Sequence, residues 1–261
     1  RHSIWNALSF TDHVAPFFLF IIGVSIHFAY SNKSPKEKPA LYKKIIIRAL
    51  KIFIIGMFLN LMPTFNLSEI RWTGTLHRIA IVFLICSILS LHTNWKQQLI
   101  IFTTLLIGYW IIMTAIPYPG EGKVMLEPGK NIAAYIDSLY LPGKMWQKTW
   151  DPEGILSIVP TCCTTLIGML VGKIMKSELH ENICLNYLMI IGVAISILGY
   201  FVGLSFPVNE NIWSSSFVLV TGGFACLIFA SMYFIFDLLP YSKYSKIGVV
   251  FGVNAIAAYV L

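Results

Sequence analysis

The sequence predicts an all-α integral membrane protein, a multi-pass bundle of helices. Hydrophobic residues make up 57% of its 261 residues and charged residues only 12%, whereas a soluble domain carries about 25% charged residues. The mean hydropathy is correspondingly high, at +0.73. The apolar runs are continuous and roughly 20 residues long, the length of a membrane-spanning helix, while a β-barrel would show short segments of alternating polarity.

Eight apolar segments follow one another along the chain and predict about eight membrane spans. They cover approximately residues 12–30, 45–63, 74–92, 98–116, 154–175, 184–204, 214–236 and 247–261. The chain opens in a polar stretch, and the last apolar segment is cut off at Leu261. We therefore expect a fragment that lacks spans at both ends.

The distribution of basic residues predicts the orientation of the bundle. One set of alternate loops, together with the span ends beside them, collects most of the lysines: 31–44, 93–97, 176–183 and 237–246. The positive-inside rule makes these loops cytoplasmic, so His2 and the long loop 117–153 are predicted to be extracytoplasmic. The net charge of +7 then reflects anchoring in the cytoplasmic (inner) membrane, with lipid as the partner and no role in binding nucleic acid.

The cysteines and one glycine pair are predicted to serve helix packing. All five cysteines fall in or at the ends of apolar segments and lack the spacing of a metal site, so we expect neither a metal nor a disulfide framework. Gly168 and Gly172 form a GxxxG pattern, which allows two membrane helices to approach closely.

The opening of the chain carries the first candidate for catalysis. His2 precedes Asp12 by ten residues, at the mouth of the first apolar segment. A carboxylate that binds one imidazole nitrogen raises the basicity of the other, which suits a general base. The alternative is an interfacial histidine together with an aspartate that caps the first helix.

Two groups of cations inside apolar segments are candidate anion ligands. Lys44, Arg48 and Lys51 follow helical spacing along one stripe, which suits the phosphates of a cofactor but also anionic lipid headgroups. Arg78 lies a few residues inside its segment, either as an anion ligand in the bundle interior or as an arginine that extends to the interface.

Polar residues at the extracytoplasmic ends of the segments are candidate sugar ligands. Asp151 and Glu153 belong to DPEG at the start of the fifth segment, where they also suit helix capping. Asn209, Asn211 and Trp213 belong to PVNENIW, which also serves as a plain turn. The loop 117–153 is long enough to be functional, and its middle, NIAAYIDSLYL, predicts a short interfacial or re-entrant helix.

Taken together, several motifs resemble the heparan-α-glucosaminide N-acetyltransferase family and its bacterial members. The opening HSIWNALSFTDHVAPFFLFIIGVSI carries His, Trp5, Asn6 and Asp12 in the family's order. The likeness continues in order through RALKIFIIGMFLN, GTLHRIAIVFL, DPEGILSIVP, PVNENIWSSSFVLVTGG and FGVNAIAAYV. Two positions depart from the family: His77 replaces a glutamine, and Glu210 replaces a lysine.

The resemblance implies a single transmembrane acyltransferase domain over residues 1–261. Members of the family transfer acetyl from cytoplasmic acetyl-CoA to the amine of a terminal glucosamine across the membrane. It implies a catalytic role for His2 with Asp12. Arg48 corresponds to a basic family residue, and with Lys51, Lys44 and Arg78 we assign it to acetyl-CoA. We assign Trp5, Asn6, Asp151, Glu153, Asn209, Asn211 and Trp213 to the amino-sugar glycan.

Other classes of function stay open at this point. An O-acyltransferase of cell-surface polysaccharide would use the same machinery on a different acceptor. A transporter would show repeated broken spans, which we do not find, and a non-catalytic subunit would not need His2 near Asp12. A homo-oligomer is compatible with all of them.

Overall fold

The protein is a bundle of α-helices. The computed structural model describes residues 5–6, 8–31, 33, 37–62, 66, 70–239, 241 and 245–253. The helices within these residues are α1 (Val14–Tyr30), α2 (Lys38–Leu61), α3 (Thr75–His92), α4 (Trp95–Ala115), α5 (Ile132–Tyr140), α6 (Ile158–Met175), α7 (Glu181–Gly203), α8 (Ser215–Tyr233) and α9 (Lys246–Val253). A short 3₁₀ turn, Thr11–His13, leads into α1. The predicted all-α class is confirmed.

Six helices in the described part of the chain are long and apolar enough to cross a membrane, so this is a multi-pass membrane protein. They are α1 with its 3₁₀ turn, α3, α4, α6, α7, and α8 with the turn after it. The predicted count of about eight is slightly high. The long α2 carries Lys44, Arg48 and Lys51 in its apolar part. Of the last segment, only residues 247–253 are described as helix, in α9.

Close contacts between glycines join α1 to α6 at the centre of the bundle. The backbone of Gly23 in α1 packs on the carbonyl of Thr165 and on Gly168, and Gly172 packs on His27. Without a Cβ at these positions the two backbones approach more closely than other residues allow. The prediction that Gly168 and Gly172 serve helix packing is therefore confirmed.

The remaining helices surround this pair. α3 packs on both α1 and α6, α2 packs on α3, and α7 packs mainly on α8. The five cysteines are free and buried, which agrees with the predicted packing role. α4 and α7 are the least buried of the six apolar helices and present isoleucine, leucine and aromatic side chains outward.

The long loop between α4 and α6 folds over one end of the bundle. Its middle forms α5, the predicted short helix, which at nine residues is about 14 Å long and too short to cross a membrane. A β-bridge between Arg71 and Gly143 ties the loop to the connection between α2 and α3. Gly143 has a φ of 79°, in the left-handed region that favours glycine.

Candidate functional site

A cavity of about 770 Å³ opens at one end of the bundle, within the range of small-molecule binding sites. It lies where α1 and α3 begin and α2 ends, under the loop before α6. Four of the residues predicted as ligands line the cavity: Arg78, Glu153, Asn211 and Trp213.

An ion-pair network forms one wall of this cavity. Arg71 donates from Nε to Asp151 Oδ2 at 2.8 Å and from Nη2 to Asp151 Oδ1 at 2.6 Å. Nη2 also lies 2.5 Å from Glu153 Oε2. Such a two-point arginine–carboxylate pair has a fixed geometry. It therefore joins the α2–α3 connection rigidly to the loop before α6.

Asp151 is the buried centre of the network, with a side chain that is 0% exposed. Thr73 Oγ1 donates to its Oδ2 at 2.6 Å, and the backbone N–H of Trp146 donates to the same oxygen at 3.0 Å. Burial by itself would raise the pKa of Asp151, but the hydrogen bonds from Arg71 and Thr73 outweigh burial and lower the pKa to about 2. Asp151 is therefore a carboxylate at every physiological pH.

Arg78 differs from Arg71 because one of its hydrogen-bond donors, Nε, has no partner among the described residues. Its side chain lies inside the bundle, in a residue only 6% exposed. Nη2 donates to the carbonyl of Pro152 and, at 3.0 Å, to Ser157 Oγ, while Nε has no hydrogen-bond partner. The guanidinium lies 4.6 Å from the ring centroid of Trp213, which supports it from one side.

Trp213 is held in place from several directions. Its indole Nε1 donates to Thr164 Oγ1 of α6 at 3.1 Å, and its backbone has a φ of 49°, which is uncommon for a residue with a large side chain. Only 1% of the residue is exposed. The surrounding contacts therefore hold this uncommon backbone conformation, with the ring against Arg78 and in the cavity wall.

Asn209 organises the turn before α8. Its Oδ1 accepts from the backbone N–H of Asn211 at 2.8 Å, its own backbone N–H donates to Ser214 Oγ at 3.0 Å, and its Nδ2 donates to Asn6 Oδ1 at 3.0 Å. The side chain is fully buried. Its amide is thus engaged in holding the turn, which leaves Asn211 and Trp213 to line the cavity.

The described residues that follow the start of the opening motif reach the cavity. His2 is outside the described residues. Asp12 is buried, and its Oδ2 accepts from the backbone N–H of Ser9 at 2.8 Å, so this hydrogen bond directs the carboxylate toward the start of the chain. The neighbouring Thr11 lines the cavity. Trp5 donates from Nε1 to the carbonyl of Leu126 at 2.8 Å, beneath the long loop.

The basic stripe of α2 lies apart from the cavity. Lys44, Arg48 and Lys51 are exposed, and none of them lines the cavity. The Arg48 guanidinium lies 5.0 Å from the ring centroid of Phe83 in α3. Arg78, which the sequence analysis grouped with these residues for acetyl-CoA, instead lies with the candidate sugar ligands.

Asp137 of α5 supports the cavity wall from behind and was missed by sequence reasoning. Its residue is 2% exposed, and its Oδ1 accepts from the backbone N–H of Ile155 at 2.9 Å. The carboxyl packs directly on Gly154, where a Cβ would lie within 2.5 Å of the carboxyl carbon. Burial raises the pKa of Asp137 to about 6, although the hydrogen bond from Ile155 offsets part of that effect.

Trp146 and Arg71 were also missed as site residues. Arg71 lies between two apolar segments, and its partner Asp151 is 80 residues away in sequence. The RWTGTLHR sequence offered one signal, since an arginine close to a span on the lysine-poor side needs a partner. No local pattern marked Trp146, one of seven tryptophans.

Comparisons with known proteins show the family of this chain. A family described as heparan-alpha-glucosaminide N-acetyltransferase, catalytic, matches residues 2–193, most of the chain. The chain belongs to this family. The match includes the opening motif, Arg71, Arg78 and the loop before α6, so it covers most of the cavity wall.

Two members of the heparan-alpha-glucosaminide N-acetyltransferase family are similar over the whole chain. The human and mouse proteins named heparan-alpha-glucosaminide N-acetyltransferase are each 26% identical over 325 aligned residues, which include 100% of this chain and 48% of the relative. The chain thus spans about half the length of these two relatives.

Proposed function

We propose that the protein is a transmembrane N-acetyltransferase that moves acetyl from cytoplasmic acetyl-CoA to the amine of an extracytoplasmic amino sugar. The observation that carries this proposal is the position of Arg78 in the wall of the cavity. This buried arginine lines a cavity that Thr11 of the opening motif also lines, and its Nε has no hydrogen-bond partner among the described residues. In acyl transfer, negative charge develops on the carbonyl oxygen, and a fixed cationic donor in a low-dielectric site stabilises that charge.

The residues around the cavity fit the electrostatics of this reaction. Pro152 and Ser157 fix the Arg78 guanidinium through Nη2, so its remaining donors are held in position for the carbonyl oxygen of the thioester. The Trp213 ring below the guanidinium excludes water from one side. Glu153 and Glu210 also line the cavity and suit the ammonium or hydroxyl groups of an amino sugar.

His2 acts as the general base in this proposal, with Asp12 as its orienting partner. The base removes a proton from the acceptor amine, the amine nitrogen bonds to the acetyl carbon, and the carbon–sulfur bond breaks to release the thiolate of CoA, which takes up a proton. General base catalysis of this kind contributes roughly 10²–10⁴ to the rate. A two-step route, with the acetyl group first on His2, uses the same residues.

The nucleotide end of acetyl-CoA is assigned to Arg48 with Lys44 and Lys51. Along α2, Arg48 and the cavity-lining Asn60 are separated by roughly 18 Å, a distance that the long, flexible pantetheine arm can bridge. Because the positive-inside rule places the start of α2 in the cytoplasm, the cofactor would enter from that side. The amino sugar would reach the cavity from the other side.

The test is turnover by the purified protein in lipid vesicles. Acetyl-CoA is offered with a panel of amino sugars, and free CoA and the acetylated product are measured. We expect His2→Ala to lower turnover by about 10²-fold or more, and Arg78→Gln to lower kcat by about 10²-fold. Lys96→Gln, at the exposed start of α4, is the control and should behave as wild type.

Three results would count against the proposal. Absence of acetyl-CoA turnover with every acceptor would exclude the N-acetyltransferase. Acetyl found on a hydroxyl and not on the amine would favour the O-acyltransferase instead. Wild-type turnover by Arg78→Gln would remove the carbonyl-stabilising role from this arginine.

A further inference from the structure

Trp146 stands out at the mouth of the cavity as a large, exposed aromatic side chain. The residue is 64% exposed and lines the cavity. A tryptophan with this much apolar area in contact with solvent at the entrance of a polar cavity is a candidate contact for a ligand.

The surroundings of Trp146 fix its position. Its backbone N–H donates to the buried Oδ2 of Asp151 at 3.0 Å. The Arg71 guanidinium lies 4.9 Å from the ring centroid, so one face of the indole is covered by the same arginine that anchors Asp151. The exposed area of the side chain must therefore lie away from Arg71. A ring that is already ordered loses little conformational entropy when a ligand stacks on it.

The chemistry of this location matches a pyranose ring. One face of a sugar ring is a patch of C–H groups, which packs on an aromatic face, while its edge carries hydroxyl and amine groups that need polar partners. The cavity supplies both kinds of contact. The Trp146 ring forms part of its lip, and Glu153 and Glu210 line its wall.

We propose that Trp146 is the stacking platform for the acceptor sugar. The apolar face of the pyranose packs on the open face of the indole, and the amine points inward, toward the wall that carries Arg78. This inference rests on the proposed function, and it assigns to Trp146 the binding of the acceptor without any part in binding acetyl-CoA.

The competing role for an exposed tryptophan in a membrane protein is anchoring at the lipid interface. Trp72 provides the matched comparison. It lies next to Arg71 and is 44% exposed, but it does not line the cavity. A lipid anchor would give the two tryptophans similar roles, whereas a sugar platform requires Trp146 alone.

The test compares Trp146→Ala, Trp146→Phe and Trp72→Ala, with methyl α-glucosaminide as the acceptor. Two quantities are measured in vesicles: the KM for each substrate, and the equilibrium binding of methyl α-glucosaminide by calorimetry without acetyl-CoA. We expect Trp146→Ala to raise the acceptor KM and Kd by about tenfold, the size of a lost aromatic stack. The KM for acetyl-CoA should stay unchanged, Trp146→Phe should recover most of the loss, and Trp72→Ala should match wild type.

Each alternative result has a distinct meaning. If wild type transfers acetyl but Trp146→Ala keeps the wild-type acceptor KM, the platform is refuted and the proposed function stands. If no protein transfers acetyl, the proposed function fails, and the calorimetric Kd alone decides the platform. The platform would also be refuted if wild type failed to bind methyl α-glucosaminide. It would be refuted too if Trp146→Ala and Trp72→Ala weakened the association with vesicles equally and changed nothing else.

Discussion

Replacing Gly23 by alanine should weaken the contact between α1 and α6. The new Cβ would overlap the carbonyl oxygen of Thr165 and lie 3.0 Å from both Gly168 Cα and Met169 N, where ordinary contacts begin at 3.4 Å. All three are backbone atoms of α6, so no side chain can rotate away and the helices must separate. We take about 3 kcal/mol for the overpacking and subtract about 1 kcal/mol for the better helix propensity of alanine, which leaves a net loss of about 2 kcal/mol.

The matched control is Gly108→Ala in α4, because a Cβ there meets no atom within 4 Å. Since the five cysteines are buried, a thiol-reactive fluorophore reports unfolding during a thermal ramp. At roughly 2–4 °C per kcal/mol, Gly23→Ala should lower the Tm by roughly 4–8 °C, while Gly108→Ala should hold or raise it. Equal Tm values for the two variants would refute the close packing of α1 on α6.

Three further predictions concern charge. Wild-type protein should gain stability relative to Asp137→Asn as the pH falls from about 6 toward 3.8. The reason is the raised pKa of Asp137, because of which the folded state takes up this proton at a higher pH than the unfolded chain does. The Tm of both proteins is measured across this range, and parallel changes in the two Tm values would contradict the prediction. A cysteine that replaces the exposed Lys148 should react with a membrane-impermeant thiol reagent added to intact cells. A cysteine that replaces Lys96 should react only after the cells are permeabilised, and the opposite pattern would reverse the predicted orientation. Arg48→Gln should weaken acetyl-CoA binding about tenfold, more at low salt than at high salt, while Lys96→Gln should not; an unaltered calorimetric Kd would assign Arg48 to lipid headgroups.

The sequence predicted the helices well because each apolar segment is a local signal. The predicted segment 74–92 matches α3 at Thr75–His92, and α6 at Ile158–Met175 lies within the predicted segment 154–175. The prediction was less accurate for α2, which begins at Lys38 and not near residue 45, because Pro39 suits the first turn of a helix and the lysines after it continue that helix.

The candidate site was predictable only in part. The motifs indicated Arg78, Glu153, Asn211 and Trp213, and the structure gathers all four around one cavity. Several of the predicted sugar ligands have polar atoms engaged within the protein, for example Asp151 with Arg71, and Asn209 within its turn. Such pairings join distant parts of the chain through tertiary packing, so no spacing rule reveals them. For the same reason the sequence did not reveal Trp146 at the cavity mouth.

The two arginines of the cavity illustrate how structural and functional charges differ. Arg71 is matched by two carboxylates, and although burial alone would lower its pKa, the hydrogen bond to Asp151 and the charge of Glu153 raise it. Arg78 is more deeply buried, yet both of its hydrogen bonds leave from Nη2 and go to neutral oxygens. A buried donor without a partner costs about 1–3 kcal/mol. The fold therefore completes the pairing of Arg71 to build the cavity wall and gives Arg78 only neutral partners, which is the arrangement expected if this arginine stabilises negative charge that develops on a substrate.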